Sequence, residues 1–393
     1  MSNSITVTVD HVETLLANGR AQDAIAVLEP ETSRHPDSFE IWHCLGRAYG
    51  QIGRHVEGER AFRNAVRLRP DWHEAHYNLA LSLAYQDRLR DSIEHFLNAR
   101  KINPHNPDFH KTLFPILVTL LQDVGESEPA HGRNFPPLNE RPLVSVIMPT
   151  QNRPRLLQDA LNSVCRQTYQ SWEIIVVNDG GGDVSGVLKS MPADMQANIL
   201  RIDLRTIRGP AAARNVAIKA AKGDVLAFLD DDDLYSPGHL ERLVSGLRAS
   251  NAGMAYTAAE LVEETILDGT RVEVRRQPFL PGLRYSRALL LVRNYIPINT
   301  WGVRRECFDA VGVFDEAMHY LEDWDFLLRL SARVGFHQMK DVTAEYRVTG
   351  LAGDSVTKRH SQLQAVKSLY RRHEAHGLEW VGLARELCLE TMA

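Results

Sequence analysis

The chain has 393 residues, enough for two or three domains with separate cores. Its 45 basic and 50 acidic side chains leave a net charge of −5, which excludes the electrostatic footprint of a nucleic-acid binder. With 44% hydrophobic and 24% charged residues, the composition also excludes disordered, collagenous and membrane-embedded classes.

The N-terminal stretch MSNSITVTVDHVETLL has no basic region followed by an apolar one. The longest apolar run, Leu113 to Leu121, is short and carries Pro115. These features predict no signal peptide, no transmembrane span and a cytoplasmic protein. Cys44, Cys165, Cys307 and Cys388 lie far apart with no CxxC spacing, so we expect reduced thiols and no zinc site.

Pro36, Pro70 and Pro104 recur every 34 residues, a period that signals stacked helical pairs. Trp42, Leu45, Gly46, Tyr49, Gly58, Phe62 and Ala65 fill one period, and His76, Leu79, Ala80, Leu83, Ser92, Phe96 and Ala99 fill the next. Leu15, Ala24 and Leu28 repeat the pattern weakly. The small residues let two helices approach, the aromatics fill the gap, and the proline ends the second helix. These units resemble tetratricopeptide repeats over residues 5–106, with 107–123 as a capping helix. The array is expected to offer a concave surface to a partner protein, or to serve as a spacer or dimerisation platform. His73 and His76 share a helix face, where solvated histidines are expected over a metal pair.

Residues 125–141 are rich in Pro, Gly and charge and read as a linker between a helical domain, 1–124, and a second domain that starts at 142. The period then changes. Apolar runs at Val144–Met148, Glu173–Val177, Ile199–Leu204 and Val225–Leu229 alternate with helical patterns at Arg155–Arg166 and Ala211–Ala221. That alternation predicts a parallel sheet covered on both faces, with a ligand beyond the strands' carboxyl ends. Pro149-Thr150, Asn178-Asp179-Gly180 and Asp230-Asp231-Asp232-Asp233 stand at those ends. Four successive aspartates repel one another unless a cation compensates them, and hard oxygen ligands suit Mg²⁺ or Mn²⁺ beside a diphosphate.

Three segments now stand in order: PLVSVIMPTQNRPRLLQDALNSVCRQTYQSWEIIVVNDG, GPAAARNVAIKAAKGDVLAFLDDDDLYSPGHLE and VGVFDEAMHYLEDWDFLLRL. Together they resemble family 2 glycosyltransferases, over residues 142–350. The resemblance implies an α/β GT-A nucleotide-diphospho-sugar transferase domain, with a mostly parallel, Rossmann-like sheet, behind the all-α repeat array. It implies that Thr150 and Asp179 contact nucleobase and ribose, and that Arg214 lies near the diphosphate. Pro149, Asn152, Asp230 and Asp231 complete the nucleotide-sugar site. Asp232 and Asp230 would hold Mn²⁺ or Mg²⁺, Asp232 more directly. Asp323 would be the catalytic base, with Glu322 as its substitute. The expected donor is a nucleotide-diphosphate sugar, a UDP-sugar foremost, and the acceptor a saccharide, lipid-linked or protein hydroxyl.

Inverting glycosyl transfer needs one carboxylate to take the acceptor's proton, and cations on the other face to neutralise the leaving phosphate. The sequence departs from the family pattern at Gln151, where Tyr is frequent, and at Gly181-Gly182, where Ser is usual. Val348-Thr349-Gly350 follow Tyr346-Arg347 where a histidine is common, so His360 is the remaining candidate for a third metal ligand. Trp301 is expected in the core and Tyr320 on the acceptor side. Residues 351–393 form a helical extension whose Leu363, Val366, Leu369 and Tyr370 pack on the transferase domain or the repeats. Two other functions compete. A sugar-phosphate nucleotidyltransferase would need a glycine-rich loop after the first strand, and Pro149 to Pro154 has no glycine. A non-catalytic repeat scaffold would not need acids at four motif positions.

Overall fold

The computed structural model describes all residues except 1, 105, 107, 127–134, 268–269, 350–355, 376–377, 379 and 393. The chain divides into two units, Met1–Leu120 and Leu121–Ala393.

The first unit is helical: α1 (Ser2–Ala17), α2 (Ala21–Arg34), α3 (Phe39–Gln51), α4 (His55–Leu68), α5 (His73–Ala84), α6 (Leu89–Ile102) and α7 (Asp108–Glu126), which runs past the division. Helices α2, α4 and α6 each stop two residues before the proline of the period, because proline supplies no N–H to continue the ladder. A Cβ on Gly46 would fall 2.6–2.8 Å from Phe62 ring atoms, so the aromatic occupies the space that the missing side chain leaves. Val12, Leu15, Ala24, Leu28, Ile41 and Leu45 close one core cluster, so the weakly patterned first pair is packed like the others. His76 is not solvated as expected. It is buried, with Nε2 3.1 Å from the Pro70 carbonyl and Nδ1 3.3 Å from His95 Nδ1.

In the second unit β1 (Val144–Thr150), α8 (Pro154–Cys165), β2 (Trp172–Asp179), two short helices α9 (Ser185–Lys189) and α10 (Ala193–Gln196), and β3 (Ile199–Leu204) come in order. Next are α11 (Pro210–Ala220), β4 (Val225–Phe228), β5 (Leu234–Tyr235), α12 (His239–Ala249), β6 (Met254–Leu267) and β7 (Thr270–Pro278). The chain continues through α13 (Arg287–Leu290), β8 (Trp301–Arg304), α14 (Glu306–Val311), α15 (Glu322–Ser331), β9 (Phe336–Thr349), α16 (Val356–Arg372) and α17 (Val381–Met392). Among the described residues the strands form one sheet in the order β3-β2-β1-β4-β8-β6-β9-β5, with β7 on β6. The β3-β2-β1-β4 half is parallel; β1, β2 and β4 are apolar runs buried on both faces, and β3 is the half-exposed edge. Strand β8 runs antiparallel to β4 and β6, which makes the whole sheet mixed.

Part of the segment read as a linker is structural. Phe135 is buried under the Arg304 guanidinium, and its N–H donates to Asn251 Oδ1 at 3.1 Å. Trp301 is wholly buried, against Phe228 and Phe326. The four cysteines are free, Cys44 and Cys307 buried. Helices α16 and α17 pack within the second unit: Leu363, Val366, Leu369 and Tyr370 are buried, Tyr370 edge-on to Trp324. The His360 side chain lies outside the described ones. Among the described residues no helix is long and apolar enough to cross a membrane.

Candidate active site

Strands β1, β2 and β4 lie side by side and parallel, so the residues at their carboxyl ends collect at one edge of the sheet. Pairing sets Thr150 opposite Asn178, and the aspartate run comes after β4 on the other side of β1. A cleft of about 410 Å³ opens there, lined by Pro149, Thr150, Asp179, Arg214, Asp230, Asp231, Asp232 and Glu322. Eight residues singled out from the sequence are thus brought together.

The four aspartates do not share one partner: Asp230 and Asp233 each have their own, and Asp231 and Asp232 share Arg153. Asp230 accepts two hydrogen bonds from Arg214 Nη2, at 2.7 and 2.9 Å. Asp231 is buried and accepts from Thr150 Oγ1 at 2.7 Å. Arg153 Nη1 lies 3.1 Å from Asp231 Oδ1 and 2.8 Å from Asp232 Oδ2. Asp233 turns into the core, where Asn299 Nδ2 and the Arg347 N–H donate to it at 2.9 and 2.8 Å. Burial, then the neighbouring acids, push these carboxyls up: Asp231 to about 6 against the pull of Thr150 and Arg153, Asp232 upward, and Asp233 well above the usual range.

Arg214, on α11, is buried between two acids: Nη2 on Asp230 and Nη1 on Glu322 Oε1 at 2.7 Å. Its Nε–H is buried with no partner among the described residues. Burial alone would lower its pKa, but Asp230 and Glu322 hold it above the ordinary value, so it is a fixed cation. Glu322 opens α15 and is tied up in that pair. Asp323, the next residue, is only partly buried and accepts from Asn294 Nδ2 at 2.9 Å. Burial and the Glu322 charge raise its pKa to about 6, with Arg214 opposing. A carboxylate with that pKa is charged at neutral pH and basic enough to take a proton.

Asp179 is tied to backbone, its two oxygens accepting from the Arg208 and Gly209 N–H groups at 2.8 Å each. This anchors the turn before α11. A Cβ on Gly180 would meet the Ile207 nitrogen at 2.6 Å, and its φ of +66° favours glycine there. Asn152 does not line the cleft; its Oδ1 accepts from the Gly182 N–H at 2.7 Å and holds the loop after β2. Two residues of the site carry no strong mark in the sequence. Arg153 stands inside the TQNRP motif, where a cation next to the strand end was the available signal. Asn294 lies in a stretch with no pattern.

A family model described as glycosyl transferase family 2 matches residues 145–312, and one described as tetratricopeptide repeat matches 43–107. An uncharacterized glycosyltransferase of Bacillus subtilis, YwdF, is 33% identical over 60% of this chain and 84% of its own length. The chain belongs to glycosyltransferase family 2. It is therefore a glycosyltransferase, and an N-terminal repeat array precedes its catalytic domain. An uncharacterized glycosyltransferase of Haemophilus influenzae is 29% identical over 50% of this chain and 65% of its own length. Among solved structures, the mannosyltransferase PcManGT of Pyrobaculum calidifontis, in complex with GDP-Man and Mn²⁺, shares the fold with a TM-score of 0.51 and 17% identity. That likeness covers 72% of this chain and 82% of that one. The family match ends at residue 312, short of Glu322 and Asp323, and the repeat match begins past the first repeat.

The residues fit a divalent cation. Asp231 and Asp232 already converge on one positive nitrogen, that of Arg153, which stands in for such an ion. Among the described residues no three His, Cys, Asp or Glu side chains converge. A cation here would take one or two carboxylates and complete its shell with phosphate oxygens and water, the usual mode for Mg²⁺ beside a nucleotide.

Proposed function

We propose that this family 2 transferase moves a sugar, with inversion, from a nucleoside-diphosphate sugar to an acceptor hydroxyl. The acceptor O–H gives its proton to Asp323 as its oxygen bonds to the anomeric carbon. The bond from that carbon to the diphosphate oxygen breaks, and its electron pair leaves with the nucleoside diphosphate. Arg214, buried and permanently charged, faces that leaving group, while Thr150, Asp179, Pro149 and the loop pinned by Asn152 shape the nucleotide end. A divalent cation, Mn²⁺ or Mg²⁺, held by Asp232 would add positive charge at the diphosphate. Asp230 keeps Arg214 in place. The repeats would recruit the acceptor or a partner protein.

The reading rests foremost on the division of labour between adjacent acids. Glu322 is spent on Arg214, while Asp323, raised to about 6, keeps the basicity of a proton acceptor. Calorimetry with UDP and GDP tests the donor side. Mn²⁺ should tighten binding of one of them by about tenfold or more, and Asp232→Asn should remove that gain while melting near wild type. Equal metal-dependent binding in the variant would overturn the metal assignment.

A further inference from the structure

Asn294 sits between α13 and β8, in a stretch without family pattern, yet its amide is fixed on both sides. Its Oδ1 accepts from the Ile296 N–H at 3.2 Å and its Nδ2 donates to Asp323 Oδ2 at 2.9 Å. Flipping the amide would set donor against donor and acceptor against acceptor, so the network dictates this orientation.

The segment carrying it is clamped. Tyr295 Oη accepts from the Ser286 N–H at 2.8 Å and donates to the Ser286 carbonyl at 3.0 Å. Trp301 Nε1 holds the Ile296 carbonyl at 3.1 Å, and Trp324 Nε1, on the helix of the base, holds the Leu290 carbonyl at 2.7 Å. The C-terminal helices add Tyr370 Oη on the Val292 carbonyl and Arg385 Nε on the Leu291 carbonyl. Four elements thus fix one amide against one carboxylate.

We infer that Asn294 is a positioning residue for the transfer reaction, orienting the Asp323 carboxylate and stabilising its charged form by a hydrogen bond to one oxygen. The C-terminal helices serve the reaction through it, by holding the segment 286–296. This rests on the reading of Asp323 as the base. Other charged or titratable groups that act on Asp323 are Glu322 on the same helix, Arg214 on α11, Asp230 after β4 and Tyr346 on β9. Glu322 and Asp230 oppose its ionisation and Arg214 favours it. The Asn294 amide adds a neutral donor on the side of the carboxylate it faces.

Asn294→Asp is the informative exchange. It keeps an acceptor for the Ile296 N–H, so the segment holds, but it loses the donor to Asp323 and brings a like charge. The full chain is assayed from about pH 5 to 10 for release of UDP or GDP from UDP-glucose, UDP-N-acetylglucosamine and GDP-mannose. The acid limb of kcat should move up by about one to two units, the worth of a hydrogen bond to a charged group. At neutral pH kcat should fall about tenfold or more and recover in alkali, while the donor KM stays within about twofold. Should Asn294→Asp fail to fold, Asn294→Leu should show the same displaced limb. An unmoved acid limb in a folded variant overturns the inference. Asp323→Asn run alongside separates the two ideas: if it keeps turnover, the base reading itself is wrong and the role of Asn294 falls with it. If it loses turnover while Asn294→Asp keeps its acid limb, only the inference fails.

Discussion

Arg88 in the repeats and Arg214 in the transferase unit each clasp two acids, and their settings differ. In the repeats, Arg88 Nη1 meets Glu59 at 2.9 Å and Nη2 meets Asp91 at 2.7 Å, with 42% of the arginine side chain exposed. In the transferase unit Arg214 bridges Asp230 and Glu322 at 2.7 Å each, with 5% exposed. Water reaches Arg88 and Asp91 in the first cluster, and the buried Glu59 keeps Arg63 and Gln86 as further partners. In the second the arginine is desolvated, faces an open cleft and carries an N–H with no partner among the described residues. Geometry alone does not distinguish a packing tie from a site. Burial, convergence and an open face do.

The largest expected effect breaks the second cluster. Arg214→Ala leaves Asp230 and Glu322 without their cation and should cost about 3–5 kcal/mol of stability as well as donor binding. Adding Glu322→Gln should restore part of the stability, a coupling that a double-mutant cycle in urea would measure. Arg88→Ala should leave the melting curve nearly unmoved, and a large loss there would erase the contrast. Next, Gly46→Ala drives a methyl into the Phe62 ring and should cost about 1–3 kcal/mol. The loss should appear in the repeat unit's transition, read by hydrogen exchange of α3 and α4, with nucleotide-sugar hydrolysis unchanged. Equal loss of exchange protection in β1 and β2 would show that the units melt as one.

A pH effect is shared by both regions. His43 in the repeats and His239 in the transferase unit are buried and lowered to about 3, by burial first and, for His43, Arg47 next. The folded state holds each neutral while the unfolded chain takes a proton below about 6.5. Stability is therefore full above that pH and declines as acid is added down to about 3, by up to about 1.4 kcal/mol per pH unit for each. His239→Gln should flatten the acid dependence of the β-sheet transition, and His43→Gln that of the helical one, between about pH 7 and 5. An unchanged slope in either variant would contradict its assignment.

How much was legible in the sequence divides the same way. The period of 34 residues made the helical pairs readable, because each repeat packs on its neighbours by the same side chains. Apolar runs ending in acids located the cleft, because parallel strands bring their carboxyl ends to one edge. What the sequence did not carry was pairing at a distance. Arg153 meeting Asp231 and Asp232, Asp233 turning inward onto Asn299, and Asn294 reaching Asp323 each join separate parts of the fold. The antiparallel β8 between β4 and β6 was equally silent, being four residues long with no alternation to mark it. Phe135 read as linker because composition weighed Pro and Gly and not one aromatic among them.

Turnover against donor affinity in Asp323→Asn and Glu322→Gln tests the central claim most directly. General-base catalysis is worth about 10²- to 10⁴-fold, so Asp323→Asn should lose kcat in that range with its donor Kd nearly unchanged. In the wild type, kcat should fall as the pH drops through about 6, since protonated Asp323 cannot accept the acceptor's proton. Glu322→Gln loosens Arg214 and should weaken donor binding more than it slows the chemical step. Near-normal turnover in Asp323→Asn with loss in Glu322→Gln would make Glu322 the base, and poor donor binding in both would mean that the pair only shapes the cleft.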